Sequence, residues 1–273
     1  MINLKLSIQL IFFINYEQIF YEKFAFSFFL LFHIYWCIKK KSMKTVILCG
    51  GLGTRLAEET DKIPKPIVKI GKIPIIHHII NYYMSFGFNE FILCAGYKYK
   101  KIFDYFKNFK NINVVNTGLN SQTGARIKKI KKLINKDEDF FMTYGDGLSN
   151  IDLKLLLKFH RKHKKIATLS SVRPIPRFGK ITLRGSKIIK FEEKSQLGEG
   201  WINGGFFVLN YGVFNYINNK TNCIFEKEPL QELSKNSELM AFKHYKFWHP
   251  MDTLRDKRYL NNLLKLKKAP WIK

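Results

Sequence analysis

Residues 50–66 have the types and spacing that phosphate chemistry requires. Gly50, Gly51 and Gly53 let the backbone turn sharply and approach a ligand with no Cβ in the way. A loop of this kind turns successive N–H groups toward one point, a cradle for an anion. Thr54 adds a hydroxyl, and Arg55 adds a rigid cationic fork suited to phosphate oxygens. Lys65 stands between Pro64 and Pro66, which stiffen the segment that carries it. The stretch is not a P-loop, because Arg55 and Leu56 follow the Gly-Thr pair. Nor is it a dinucleotide fingerprint, because Leu56 stands where the third glycine belongs.

Phosphoryl and nucleotidyl transfers depend on positioning and on neutralising charge at phosphorus, so carboxylates able to hold Mg²⁺ are sought next. Asp146 lies between Gly145 and Gly147 after an apolar run, where its carboxylate can reach a magnesium ion. Asp252 is the natural second ligand. It also begins a helix, and spacing alone favours the plainer use, an N-cap. His249, three residues away, suits packing better than a metal that prefers oxygen. His77 and His78 lie on a helix and are given no catalytic role, and no Ser-His-Asp or Cys-His arrangement is legible.

Several elements must bring these groups together. An apolar run at 46–49 predicts a buried strand closed by the glycines. A helical stripe follows over 71–87, through Ile75, Ile76, Ile79, Ile80 and Tyr83. Further strands are predicted at 90–95, 113–116 and 140–144, and helices at 99–109, 124–134 and 152–163. This β-α-β order implies an α/β, Rossmann-like, mostly parallel mixed sheet with helices on both faces. Ligands of such sheets sit beyond the carboxyl ends of the strands, so the Gly50 loop, residues 123–126 and Asp146 share one rim. Strands at 167–172, 180–183, 187–191, 203–210 and 239–247 are expected to extend the same sheet and cover its nucleotide half. Arg184-Gly185-Ser186 reads as a hairpin turn, and a basic helix over 253–267 closes the chain.

The 273 residues suffice for one large α/β domain or two smaller ones. The formal net charge of +26 raises nucleic acid or an anionic membrane as partners. The lysines are scattered, however, with no zinc-finger spacing or RNP-type motif, so a solvated surface that steers a polyanionic substrate is the better reading. Cys37, Cys49, Cys94 and Cys223 show no metal spacing and read as reduced, cytoplasmic core residues. Residues 1–42 form a separate hydrophobic extension whose uncharged run, 24–38, is shorter than the ~20 apolar residues that span a bilayer. Two readings stay open for it: a start assigned upstream of Met43, or a membrane-surface anchor with Lys39, Lys40 and Lys41 on anionic headgroups.

Taken together, G-G-L-G-T-R-L at 50–56 and P-K-P at 64–66 resemble the sugar-1-phosphate nucleotidyltransferases. T-Y-G-D-G at 143–147, R-F-G at 177–179, F-E-E-K at 191–194, I-N-G-G-F-F-V-L at 202–209 and E-P-L at 228–230 extend the likeness. E-L-M-A-F at 238–242, F-W-H-P-M-D-T-L-R-D-K at 247–257 and K-A-P-W at 268–271 complete it, so the similarity runs over residues 43–273. Within that family the chain most resembles the cytidylyltransferases of glucose 1-phosphate. The resemblance implies CTP and glucose 1-phosphate as substrates, CDP-glucose and pyrophosphate as products, Mg²⁺ as cofactor and a homo-oligomer, in surface polysaccharide or deoxysugar synthesis. It implies that Gly50, Gly51, Gly53, Thr54 and Arg55 hold the nucleotide, with Lys65 on its phosphates and Thr123 and Arg126 at the nucleotide end. Asp146 and Asp252 would bind Mg²⁺. Glu193 and Lys194 would hold the sugar hydroxyls and sugar phosphate, and Gly179 and Asn203 would line the sugar pocket. Arg55, Lys65 and Lys194 would carry the catalysis. Ser195 replaces the family's proline after Glu-Lys, and only a short turn separates Phe106 from Val114 where these cytidylyltransferases carry a longer segment. The second departure leaves dTTP, UTP or GTP, another sugar, or a non-catalytic nucleotide-sugar sensor as alternatives. Thr123 and Arg126, as donors to a cytosine edge, favour CTP.

Overall fold

The computed structural model describes residues 43–173, 179–192 and 200–273. Its first strand, β1 (Lys44–Cys49), sends Ile47 and Cys49 into one core and Val46 and Leu48 into another, as a strand buried on both faces must. Short 3₁₀ turns at Thr54–Leu56 and Lys65–Ile67 lead to α1 (Ile75–Met84). This helix starts directly after Pro74 and buries the predicted stripe of Ile75, Ile76, Ile79, Ile80 and Tyr83. The chain continues through β2 (Glu90–Ala95), α2 (Tyr99–Phe106), β3 (Ile112–Asn116) and α3 (Thr123–Lys129). Next come β4 (Phe140–Tyr144), β5 (Gly147–Ser149), α4 (Leu153–His163) and β6 (Ala167–Val172). Helix α3 is shorter than its periodicity suggests: past Ile130 the chain tightens into a 3₁₀ turn, Lys131–Leu133.

The second half supplies β7 (Lys180–Arg184), β8 (Lys187–Glu192), β9 (Ile202–Leu209) and α5 (Glu228–Lys235). Then follow β10 (Leu239–His244), β11 (Trp248–Pro250) and α6 (Leu254–Lys265). Seven strands form one sheet in the order β10-β6-β9-β4-β1-β2-β3. Within it β9 runs antiparallel to both neighbours and the other pairings are parallel. The later strands therefore extend the sheet beyond β4, away from β2 and β3, and do not cover its nucleotide half. β7 and β8 do form the predicted hairpin, but as a separate two-stranded sheet. The main sheet ends at β10 on one side and at β3 on the other, and neither pairs with the hairpin. The hairpin accordingly leaves Ile181, Leu183, Ile188, Ile189 and Phe191 exposed. One small pairing was not legible beforehand: β5 and β11 run antiparallel, with Gly147 opposite Pro250. Buried Cys49 and Cys94 are free thiols whose pKa values burial pushes up, to about 12 for Cys94, in keeping with inert core residues. Among the described residues no helix is long and apolar enough to cross a membrane.

Candidate active site

Gly53 has φ +71°, and this left-handed turn folds the glycine loop back into the Thr54–Leu56 turn. The Leu56 N–H closes it on the Gly53 carbonyl at 2.9 Å. A Cβ on Gly53 would lie 2.9 Å from Thr60 Cγ2, so the position needs glycine for space as well as for φ. Thr54 and Gly51 stay exposed, and Arg55 reaches outward to Asp252 Oδ2 at 2.6 Å with 70% of its side chain accessible.

Lys65 is buried in the turn that Pro64 and Pro66 frame. Its ammonium lies 2.6 Å from Asp146 Oδ2 and 2.7 Å from Asp252 Oδ1. Burial disfavours that charge, but the two carboxylates outweigh it and the Lys65 pKa is raised, so the side chain stays cationic. The two aspartates, far apart in sequence, converge because β5 pairs with β11 and the Met251 N–H donates to the Asp146 carbonyl at 2.9 Å.

The helix-cap reading of Asp252 does not hold. Thr253 is the N-cap of α6, and it forms a capping box with Asp256. The Asp252 carboxylate, in a residue 9% exposed, is left to Lys65 and Arg55. Two carboxylates reaching one point are the oxygen donors that magnesium uses, and the Lys65 ammonium already stands between them as a cation would. Among the described residues no three His, Cys, Asp or Glu side chains converge.

These groups line a cavity of about 570 Å³ with Gly50, Gly51, Gly53 and Thr54, and with Thr123, Arg126 and Asn203. Arg126 enters it differently from what the family resemblance implied. Its guanidinium donates to Gly50 O at 2.8 Å, Thr117 Oγ1 at 2.7 Å, Gly118 O at 2.9 Å and Ala95 O at 3.3 Å. It thus ties together the chain ends that follow β1, β2 and β3. A Cβ at Gly50 or Gly96 would come within 2.1 or 2.3 Å of it, which is why both positions are glycine. Thr123 is likewise turned inward, accepting from the Phe225 N–H at 2.9 Å and donating to Glu226 Oε2 at 2.5 Å. The expected donors to a cytosine edge are therefore committed to the protein itself.

Sequence reasoning passed over Glu226 and Tyr144. Tyr144 donates to Glu226 Oε1 at 2.5 Å and accepts from Asn203 Nδ2 at 3.3 Å, and both residues line the cavity. Their signal lay in motifs read for other members, Tyr144 beside Asp146 and Glu226 two positions before Glu228-Pro229-Leu230. Gly179 is described just before β7 and does not line the cavity. Glu193 and Lys194 lie outside the described residues. The histidines serve packing: His249 meets Asp256 at 3.1 Å and stacks near Phe247 and Tyr259. His77 meets Tyr105, and His78 donates to the Ile70 carbonyl.

Comparison with known proteins locates this arrangement. Residues 44–255 match the family described as nucleotidyl transferase. The glucose-1-phosphate cytidylyltransferase of Salmonella typhimurium is 44% identical over an alignment of 254 residues that covers 84% of this chain and 98% of that protein. The D-glycero-alpha-D-manno-heptose 1-phosphate guanylyltransferase of Campylobacter jejuni is 35% identical over 204 residues, 73% of this chain and 90% of that one. Among solved structures, HddC of Yersinia pseudotuberculosis complexed with GMP-PN has a TM-score of 0.63 at 24% identity, covering 81% of this chain and 99% of its own, a likeness of fold.

Proposed function

This chain belongs to the nucleotidyl transferase family, and on that premise we propose that it joins glucose 1-phosphate to CTP, giving CDP-glucose and pyrophosphate. The observation that carries the proposal is the convergence of Arg55, Lys65, Asp146 and Asp252 beside the glycine loop, in one cavity. Its substrate assignment rests on the 44% identity to a glucose-1-phosphate cytidylyltransferase.

An oxygen of the sugar phosphate attacks the α-phosphorus in line. A P–O bond forms there as the bond from the α-phosphorus to the bridging oxygen breaks, and pyrophosphate leaves with that electron pair. The nucleophile is already ionised, so no general base is required, in keeping with the packing roles of His77, His78 and His249. The glycine loop positions the phosphates, and Arg55 and Lys65 neutralise their charge. Glu193 and Lys194 are assigned to the sugar hydroxyls and the sugar phosphate by their motif, and Asn203 and Gly179 to the sugar pocket by theirs. We assign the reaction to the unit Met43–Lys273.

Divalent metal is general to nucleotidyltransferases, and Asp146 and Asp252 fit it. The two carboxylates would hold a magnesium ion, which would supply charge neutralisation at the phosphates. Lys65 rests on both carboxylates and Arg55 on that of Asp252, two positive groups balancing two negative ones. A polyphosphate draws those cations toward itself and leaves the carboxylates to a metal.

The test is a competition. The full chain is given glucose 1-phosphate, Mg²⁺ and CTP, UTP, dTTP, GTP and ATP at equal concentration. CTP should be consumed first, with release of pyrophosphate. Asp146→Asn and Asp252→Asn should each lower turnover about a hundredfold or more. Consumption of another triphosphate first overturns the base assignment, and no pyrophosphate from any triphosphate and sugar phosphate overturns catalysis.

A further inference from the structure

Glu226 is the one carboxylate of the cavity that no cation of the described residues pairs with. Its two oxygens are instead each pinned by a hydroxyl, Tyr144 on Oε1 and Thr123 on Oε2, both at 2.5 Å. In both contacts the hydroxyl donates and a carboxyl oxygen accepts. Every hydrogen bond around it points the same way. Asn203 donates to Tyr144, which donates to Glu226; the Phe225 N–H donates to Thr123, which donates to Glu226 from the other side.

Both hydroxyl donors are spent on Glu226, and what its carboxylate still offers the cavity is acceptor capacity. A carboxylate has about four lone-pair sites and here uses two of them. Phosphate oxygens are acceptors and negative, so they are repelled; a substrate hydroxyl is a donor and fits. A glutamine in its place would keep one acceptor oxygen and lose the other. We infer that Glu226 is a specificity-determining residue, the acceptor that reads substrate hydroxyls, held rigid by Tyr144 and Thr123. The inference rests on the reading that this cavity takes a nucleotide and a sugar phosphate. The same chemistry is carried by the ribose of the nucleotide and by the hexose, and the assay separates them.

Wild type and Glu226→Gln are compared with CTP against its 2′-deoxy and 3′-deoxy forms, and with glucose 1-phosphate against its monodeoxy forms. Two readouts are taken: kcat and KM, and the ligand-induced shift in Tm, which needs no turnover. In wild type, loss of the hydroxyl that Glu226 reads should raise KM about tenfold or more. In Glu226→Gln that preference should shrink about tenfold in one arm, ribose or hexose, and stay at its wild-type value in the other. Tyr144→Phe, which removes one pin and keeps the ring, should weaken the same preference and serves if the glutamine variant does not fold. Preferences unchanged in both arms and both readouts overturn the role of Glu226. Absence of pyrophosphate from wild type would overturn catalysis alone, and the Tm shifts would still decide the binding role.

Discussion

At the residue scale, Lys65 governs the candidate site. One buried ammonium is shared by two aspartates, and Arg55 takes a remaining oxygen of Asp252. Such a site is preorganised for anions, because its cations are already held where phosphate charge arrives. Those cations also sit on the two carboxylates proposed to hold a metal. Lys65→Met removes a counter-charge and leaves Asp146 and Asp252 to repel each other. Turnover should fall about a hundredfold or more, whereas the nucleotide-free protein should bind Mn²⁺ more tightly than wild type. Titration followed by electron paramagnetic resonance reads the second effect, and an unchanged or weaker affinity would refute the counter-cation role.

At the scale of elements, α3 and the strap at 221–226 act as one piece. The Gln122 N–H donates to Thr221 O at 2.9 Å and the Ala125 N–H to Cys223 O at 3.2 Å, so the strap satisfies N–H groups at the start of α3 that would otherwise lack partners. Gly124 permits that approach: a Cβ there would lie 2.7 Å from Cys223 Sγ and 3.0 Å from its carbonyl. The same strap delivers Glu226 to the cavity. Gly124→Ala should therefore cost about 1–3 kcal/mol of stability through overpacking. It should also raise KM more than it lowers kcat, because it shifts Thr123 and Glu226 together. Urea denaturation with steady-state kinetics checks both, and a wild-type KM in a destabilised variant would separate the strap from the site.

At the scale of the whole molecule, pH dependence follows from buried histidines. Burial lowers the pKa values of His77, His78, His163 and His244. Each is thus held neutral in the fold below an unfolded value of about 6.5. A depressed folded pKa gives stability that is present above the unfolded value and is lost as pH falls toward the folded one. Urea midpoints measured from pH 8 to pH 5 should hold steady at first and then decline below about pH 6.5. A midpoint that rises on acidification would contradict the assignment. The formal net charge of +26 acts in the same direction, since protonating these rings adds to the self-repulsion of a basic protein.

The sequence by itself determined the elements that local pattern controls. Strands 90–95, 140–144 and 167–172 and the stripe of α1 stand where periodicity put them, because alternation and helical spacing are properties of neighbours along the chain. It also determined the glycine loop and the Pro64-Lys65-Pro66 turn, whose conformations are set by Gly and Pro themselves. It could not determine what a polar side chain turns toward. Asp252 looked like a helix cap until Thr253 took that place, and only the pairing of β5 with β11 carried it to Asp146. Thr123 and Arg126 looked like donors to a base until Glu226 and four acceptors near the strand ends claimed them. The β7–β8 hairpin was legible as a hairpin, but its place in a two-stranded sheet of its own was not. Hydrogen-bond partners and sheet edges are assigned by competition among residues distant in sequence, and that competition is resolved only when the chain is packed.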